Sequence, residues 1–154
     1  MATKPDSAVF VDTNILIYAN VPASPFCSQA RKRLTEMEAE GVELWISRQT
    51  IREYLVIMSR PGTLSPPLPM EDLVSDVQQL TDGFIVADEH AGTTAELLDL
   101  LTHTSVAGKQ VHDANIVATM LVNAVPRLLT HNIADFKRFE PKIQIEPLIT
   151  ESKS

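Results

Sequence analysis

The sequence predicts an α/β domain in which a mostly parallel sheet is covered by helices on both faces. Short apolar runs, typical of buried strands, alternate with longer helical stretches along the chain. The length of 154 residues is enough for one such domain and too short for two. We therefore predict a single domain over residues 1–154, with a core at about 8–148 and short flexible tails.

The elements follow one another in the order that this fold class requires. Strands are predicted at about residues 8–11, 42–46, 84–87, 127–130 and 143–147. Helices are predicted at about residues 14–20, 25–40, 48–59, 70–81, 90–104 and 112–124. The Pro-rich segment 60–69 is too short for a domain linker, so we expect it to end one helix and form an ordered loop before the next.

The first predicted strand ends abruptly at a carboxylate. The apolar residues 8–11 are followed directly by Asp12. In an open α/β sheet, ligands and metals bind at the carboxyl ends of the strands, so this position suits a functional acid. Taken alone, Asp12 is better explained as a helix cap, because Asp12 or Asn14 could cap the helix that begins near Ile15.

A second acid, Glu53, lies early in the helix that follows the second strand. Ser47 is placed to cap this helix, and Ile51, Leu55 and Met58 recur at helical spacing on its apolar face. Glu53 is offset from that face, which turns it toward the strand-end edge. The alternative is an ordinary solvated glutamate, which the positive end of the helix dipole also favours.

A third acid, Asp113, opens a strongly apolar helix. We expect this helix to be buried on more than one side, so its polar residues Asp113, Asn115 and Thr119 need a reason to be there. A buried carboxylate is costly unless it is paired or bound to a cation. The alternative is again an N-terminal cap.

The last polar group follows the strand at 127–130. Asn132 and Asp135 come soon after this strand, and either could reach the same edge of the sheet. The alternative for both residues is turn or cap chemistry.

Four segments, taken in order and with their intervals, resemble the PIN-domain nucleases. They are Val11-Asp12-Thr13-Asn14, Arg52-Glu53-Tyr54, His112-Asp113-Ala114 and Leu129-Thr130-His131-Asn132-Ile133-Ala134-Asp135-Phe136. Within that family, the compact length resembles the VapC-type toxins of type II toxin–antitoxin pairs. The resemblance covers about residues 8–148, and the ordered set is far more specific than any one segment.

The resemblance implies a PIN-like three-layer fold and a site that binds Mg²⁺ or Mn²⁺. Asp12, Glu53 and Asp113 would be the metal ligands, and Asp135 would be the fourth catalytic acid. Asn132 stands where a fourth acid is common in the family, which leaves the choice between Asn132 and Asp135 open. The supporting residues would be Thr13, Asn14, Thr130 and Asn132.

The resemblance also implies an activity and partners. The expected activity is metal-dependent cleavage of RNA, with cellular RNA such as transfer RNA as the substrate. A homodimer is expected, as is a cognate antitoxin whose C-terminal segment blocks the site. Apolar grooves for that segment would come from the helices near 25–40 and 48–59.

Carboxylates suit this chemistry because their oxygens are hard ligands for Mg²⁺ and Mn²⁺. Crowded carboxylates repel one another, which raises some of their pKa values until a cation relieves the repulsion. Such a cation can activate a water and neutralise charge on a phosphoryl oxygen.

The charge balance by itself is unfavourable for binding nucleic acid, since 13 basic and 20 acidic residues give a net charge of −7. Part of the acidic excess, however, belongs to the predicted metal site. Arg48, Arg52 and Lys109 are the cations nearest to the acids in sequence, so we predict that they contact phosphates. Their alternative is a solvated helix face. Aromatic residues are only 5%, which disfavours an extended base-stacking platform.

Other site chemistries and locations are disfavoured. Cys27 is the only cysteine, so an internal disulfide is impossible, and the four histidines lack ligand-like spacing. We find no signal peptide and no apolar run near 18 residues, so a cytoplasmic protein without a membrane segment is expected.

Two rival functions share these acids. One is a PIN-like nuclease of RNA processing or of DNA flaps, which usually has added domains or loops. The other is a non-catalytic PIN-like binding module, which the asparagine at position 132 leaves open.

Overall fold

A five-stranded parallel sheet forms the centre of the structure, a computed structural model that describes residues 7–149. The strands are β1 (Ala8–Val11), β2 (Glu43–Ser47), β3 (Ile85–Ala87), β4 (Arg127–Thr130) and β5 (Gln144–Pro147). They lie in the order β3-β2-β1-β4-β5, and all four pairings are parallel. The predicted α/β class with a sheet between helical layers is confirmed. The predicted flexible tails fall almost entirely outside the described residues.

Seven α-helices surround this sheet in the described part of the chain. They are α1 (Thr13–Asn20), α2 (Cys27–Ala39), α3 (Arg48–Met58), α4 (Met70–Gly83), α5 (Ala91–His103), α6 (Gln110–Val122) and α7 (Ile133–Phe136). The Pro-rich segment lies between α3 and α4 as predicted, and the Thr63 hydroxyl donates to the Ile57 carbonyl at 2.7 Å to fold the loop back on α3. No helix within residues 7–149 has both the length and the apolar character needed to cross a membrane.

Alternation along β1 divides the hydrophobic core into two clusters, one on each face of the sheet. Val9 and Val11 pack into the cluster under α1, α2, α3 and α4, while Ala8 and Phe10 pack into the cluster under α5, α6 and α7. All four side chains are at least 95% buried. A strand buried on both faces must be apolar at every position, which explains the unbroken apolar run that predicted it.

Local capping chemistry fixes where the helices beside the sheet edge begin. The Ser47 hydroxyl accepts from the Thr50 amide, and the Thr50 hydroxyl accepts from the Ser47 amide, both at 3.3 Å. This reciprocal pair satisfies two amides that would otherwise lack partners at the start of α3. Asp12 caps α1 through the Thr13 amide, so both predicted caps are present.

The sequence analysis missed the short helix α7 and the 3-10 helix that follows it at Lys137–Phe139. No helix was predicted after residue 124, and turn or cap chemistry was the alternative given for Asn132 and Asp135. The fold instead buries Phe136 and Phe139, which are 1% and 2% exposed and pack in the cluster beneath α6. A segment this short has too few residues to show helical periodicity, and its conformation depends on that tertiary packing.

A shared glutamate ties α2 to the edge of the sheet. Glu146 on β5 accepts from Arg33 on α2 at 3.0 Å and from Arg127 on β4 at 2.8 Å. The Glu146 side chain is only 15% exposed, so the two arginines compensate a carboxylate with little access to water.

We expect Leu128→Ala to lower the free energy of unfolding by about 3 kcal/mol, because it leaves a cavity beneath a completely buried side chain. Urea denaturation measures this change. Leu98→Ala removes the same atoms from a side chain that is 59% exposed and should change stability by less than about 0.5 kcal/mol. Equal losses in the two variants would contradict the described core.

Candidate active site

The parallel sheet brings the four predicted acids together near the carboxyl ends of its strands. Asp12 follows β1 directly, Glu53 lies in α3 after β2, Asp113 lies in the first turn of α6, and Asp135 lies in α7 after β4. The charges of Glu53 and Asp113 raise the pKa of Asp12, and those of Asp135 and Glu53 raise the pKa of Asp113. The four carboxylates therefore share one electrostatic environment.

Asp12 is the most buried of the four acids, with 7% of its surface exposed. One carboxylate oxygen accepts from the Thr13 amide at 2.8 Å. The other accepts from the Thr130 hydroxyl at 2.8 Å and from the Asn14 side-chain amide at 3.4 Å. Asp12 is thus both the cap of α1 and a member of the acidic cluster, so the two explanations of this residue do not exclude each other.

The pKa values of two acids are well above the ordinary value for aspartate. Burial raises the pKa of Asp12 to about 6, and the charges of Glu53 and Asp113 add to the rise against the hydrogen bonds from Thr130 and Thr13. Burial and the charges of Asp135 and Glu53 raise the pKa of Asp113 to about 6, against the charges of Arg138 and His112. The ionised forms of both carboxylates are therefore disfavoured, because the positive charge near them is too small to offset burial and the neighbouring acids.

Glu53 is held by side chains from two helices. The Gln49 amide nitrogen donates to one Glu53 oxygen at 2.7 Å, and the Thr13 hydroxyl donates to the other at 3.3 Å. Gln49 is 5% exposed and also donates to the His112 carbonyl at 3.0 Å. Gln49 therefore connects Glu53 on α3 to the start of α6, where Asp113 lies.

The sequence analysis missed Gln49 and Glu89 as parts of this network. The Asn115 amide nitrogen donates to the Gln49 oxygen and to a Glu89 oxygen, both at 2.8 Å. Asn115 was expected to have a reason to lie in an apolar helix, and these bonds supply it. Gln49 precedes Glu53 by four residues on one helix, a spacing that could have indicated their contact. Nothing in the sequence indicates Glu89.

The polar residues around Asp12 link the ends of β1 and β4. The Thr130 hydroxyl also accepts from the Asn132 amide at 3.0 Å and from the Asn14 side chain at 3.5 Å. The Asn132 side chain is exposed and makes no cap bond to α7. Asp135 is exposed as well, but its charge reaches Asp113. Of the two candidates for the fourth position, Asp135 is thus the one coupled to the other acids.

An aromatic cluster beside the site was also missed. The His131 ring packs against Phe26 at 4.4 Å and against Tyr18 at 5.6 Å between ring centroids. Tyr18 is one helical turn from Asn14 on α1, and burial together with the Asp12 charge raises its pKa. The sequence analysis had noted only that the four histidines lack the spacing of metal ligands, which gives no sign of this aromatic contact.

The predicted phosphate-contact residues fall into two groups. Arg48 donates to the exposed Asp88 carboxylate at 2.9 Å, so its charge already has a partner. Arg52 and Lys109 instead line a cavity of about 480 Å³ that has Glu53 on its wall. These two cations are therefore next to the acidic cluster in space as well as in sequence.

The donor set fits a hard divalent cation. Within residues 7–149, no three carboxylate, imidazole or thiol groups form a ready-made metal cage. Mg²⁺ does not require one, because it keeps several waters and is commonly held by one or two carboxylates. The raised pKa values of Asp12 and Asp113 show that positive charge at this position would be stabilising.

The raised pKa of Asp12 predicts a pH-dependent stability in the absence of metal. Because the folded value of about 6 lies above the unfolded value of 3.8, the folded state binds extra protons between these values, and the free energy of unfolding falls as pH rises through that window. We expect Asp12→Asn to make this fall smaller, leaving the part that the raised pKa of Asp113 contributes, and to stabilise the protein at pH 7 by an amount on the order of 3 kcal/mol.

Urea denaturation in EDTA at several pH values measures this difference. Asp82→Asn, which removes an exposed carboxylate at the end of α4, is the control and should keep the pH dependence of the wild type. An Asp12→Asn protein whose stability follows the wild-type pH curve would show that Asp12 is not a destabilising charge.

The amino-acid sequence matches a known protein family. The family model described as PIN domain matches residues 9–140. Ribonuclease VapC48 of Mycobacterium tuberculosis is 26% identical over 131 residues, which are 84% of this chain and 90% of that protein.

Solved structures have the same fold. A chain in the crystal structure of VapBC2 from Rickettsia felis bound to a DNA fragment from their promoter aligns with a TM-score of 0.66 and 21% identity, over 91% of this chain and 98% of that one. The crystal structure of Mycobacterium tuberculosis VapC20, described as a sarcin-ricin loop cleaving toxin, aligns with a TM-score of 0.61 and 13% identity, over 78% of this chain and 86% of that one. The match of the family model over most of the chain shows that this protein belongs to the PIN domain family.

Proposed function

We propose that this protein is a metal-dependent endoribonuclease and the toxin of a type II toxin–antitoxin pair. The observation that carries the proposal is the acidic cluster at the sheet edge of a PIN domain, where burial raises the pKa values of Asp12 and Asp113 to about 6. The names of two similar proteins support it, since one is a ribonuclease and the other is described as a toxin that cleaves the sarcin-ricin loop.

In this proposal, Asp12, Glu53 and Asp113 hold Mg²⁺ or Mn²⁺, and Asp135 completes the acidic site. When bound, the cation would supply an activated water and neutralise charge on the phosphoryl oxygens during phosphodiester cleavage. The protein's own contribution is the placement of its carboxylates, which for Asp12 and Glu53 is set by hydrogen bonds.

Two carboxylates of the proposed site, those of Asp12 and Glu53, are oriented by hydrogen bonds. The Thr130 hydroxyl and the Thr13 amide hold the two oxygens of Asp12, and Gln49 holds Glu53. Asp113 makes no such bond among the described residues. The residue before it, His112, accepts a hydrogen bond from Gln49 through its carbonyl, which holds the start of α6 in place. Two acids are therefore pre-oriented, and the third can adjust to a ligand.

The partners follow from the same assignment. Several similar structures are toxin–antitoxin complexes, which supports an antitoxin as the partner of this chain. We propose in addition that the toxin is a homodimer, that it acts in the cytoplasm, and that its substrate is a cellular RNA such as transfer RNA.

Metal binding should raise the thermal stability of the purified protein. We expect Mg²⁺ or Mn²⁺ at about 100 times its dissociation constant to stabilise the fold by about 2.7 kcal/mol. Differential scanning fluorimetry, started from protein treated with EDTA, measures the shift in Tm. Asp113→Asn should lose the shift, whereas Asp82→Asn should keep it. An equal shift in both variants would place the metal elsewhere.

Cleavage of RNA is the direct test of the proposed activity. We expect the antitoxin-free protein to produce discrete fragments from total RNA with Mg²⁺ or Mn²⁺ and to produce none in EDTA. Asp12→Asn and Asp113→Asn should each reduce the rate by at least about 100-fold, because a metal contributes several kcal/mol to such a reaction. Gel electrophoresis followed by fragment sequencing identifies the target.

The control for cleavage is again Asp82→Asn, which should cut at the wild-type rate. Cleavage that survives both site substitutions would indicate a contaminating nuclease or a wrongly assigned site. A folded, metal-loaded wild type that cuts no RNA would favour the non-catalytic binding module.

A further inference from the structure

The cavity beside Glu53 is a groove between α3 and the first turn of α6. Its walls include Arg52, Val56 and Arg60 from α3 and the residues just after it, and Lys109 and His112 from the start of α6. We call it the α3 groove. Glu53 lies on its wall, so the α3 groove and the acidic cluster have one carboxylate in common.

The cations of the α3 groove have no acidic partners. Within residues 7–149, Arg52, Arg60 and Lys109 make no ion pair with a carboxylate, although six such pairs involve other cations of the chain. Glu53 is the one acid on the described walls of the groove. A protein with a net charge of −7 thus keeps three unpaired positive charges together beside its acidic site.

The positive charges are spread along the α3 groove. Arg52 and Val56 are one helical turn apart on α3, which ends at Met58, and Arg60 follows two residues after that end. Lys109 adds a third cation from the start of α6. Cations from separate elements along one groove suit a polyanion that contacts several of them better than they suit a single bound anion.

Apolar side chains also line the α3 groove. Val56 is 54% exposed, which makes it one of the most exposed large apolar side chains in the described chain, and Ile57 lies beside it. An apolar patch flanked by cations provides for both parts of a nucleotide, because bases and sugars pack on apolar surface while phosphates contact arginine and lysine.

We propose that the α3 groove binds the single-stranded RNA that adjoins the cleaved bond, with phosphates contacting Arg52, Lys109 and Arg60 and with a sugar or base packing on Val56. This inference rests on the proposed ribonuclease function. Its physical basis is the position of Glu53, which belongs both to the acidic cluster and to the wall of the groove, so RNA held at the site has the cations of the groove next to it. Arg60 had not been indicated by the sequence.

Salt-dependent binding tests the α3 groove separately from catalysis. The probe is a fluorescein-labelled single-stranded RNA oligonucleotide of mixed sequence, and its anisotropy with the full-length protein in EDTA gives Kd at several KCl concentrations. Each phosphate contact contributes about 0.7 to the slope of log Kd against log salt. We expect Arg52→Gln and Arg60→Gln each to weaken binding by about fivefold to tenfold and to make the slope shallower by about 0.7.

The matched control is Lys32→Gln, which removes one positive charge from a side chain on α2 that is 76% exposed. It should leave both Kd and slope close to those of the wild type. Circular dichroism and the Tm check that all three variants are folded, which we expect because the substituted groups are exposed.

The outcomes separate this inference from the proposed function. If the wild type cleaves RNA but both arginine variants bind it as Lys32→Gln does, the α3 groove is not the RNA path, while the ribonuclease assignment stands. If the variants instead change only self-association, measured by light scattering, the groove is an interface between copies of this chain and the inference is overturned. If the wild type neither cleaves nor binds RNA, both proposals fail.

Discussion

The hydrogen bond from the Thr130 hydroxyl to Asp12 joins the central strand β1 to its neighbour β4 at the point where the site begins. Asp12 ends β1, Thr130 ends β4, and the 2.8 Å contact lies almost entirely out of reach of water. The same carboxylate caps α1 through the Thr13 amide. One buried acid therefore fixes the relation of two strands and a helix, and the remaining site residues are arranged around it.

Keeping this acid buried has an electrostatic cost that the fold only partly offsets. The hydrogen bonds from Thr130 and Thr13 lower the pKa of Asp12, but burial and the neighbouring acids raise it to about 6. Natural cores rarely retain such a charge without a partner, and perturbed carboxylates cluster at functional sites. The acidic cluster is thus destabilising in itself, and a bound cation would convert repulsion into attraction.

Opposite charges occupy neighbouring positions on α3. Glu53 belongs to the acidic cluster, is held by Gln49 and also lines the α3 groove, while Arg52, the residue before it, lines the same groove. Adjacent helix residues point about 100° apart, so one helix can contribute to a cation-binding site and to an anion-binding surface. In a chain with a net charge of −7, this arrangement is compatible with the proposed metal site and with the proposed RNA path.

The sequence by itself determined the parallel sheet, the order of its elements and the positions of four acids, because buried strands must be apolar and a carboxylate that interrupts such a run is visible at once. It could not show that Gln49, Asn115 and Glu89 form one hydrogen-bond network. These residues lie up to 66 positions apart and belong to different segments, which only the folded structure brings together. Nor could it choose Asp135 over Asn132 as the residue coupled to Asp113, or place Arg60 in the same groove as Glu53. Those facts depend on distances between distant segments, which the tertiary structure alone decides.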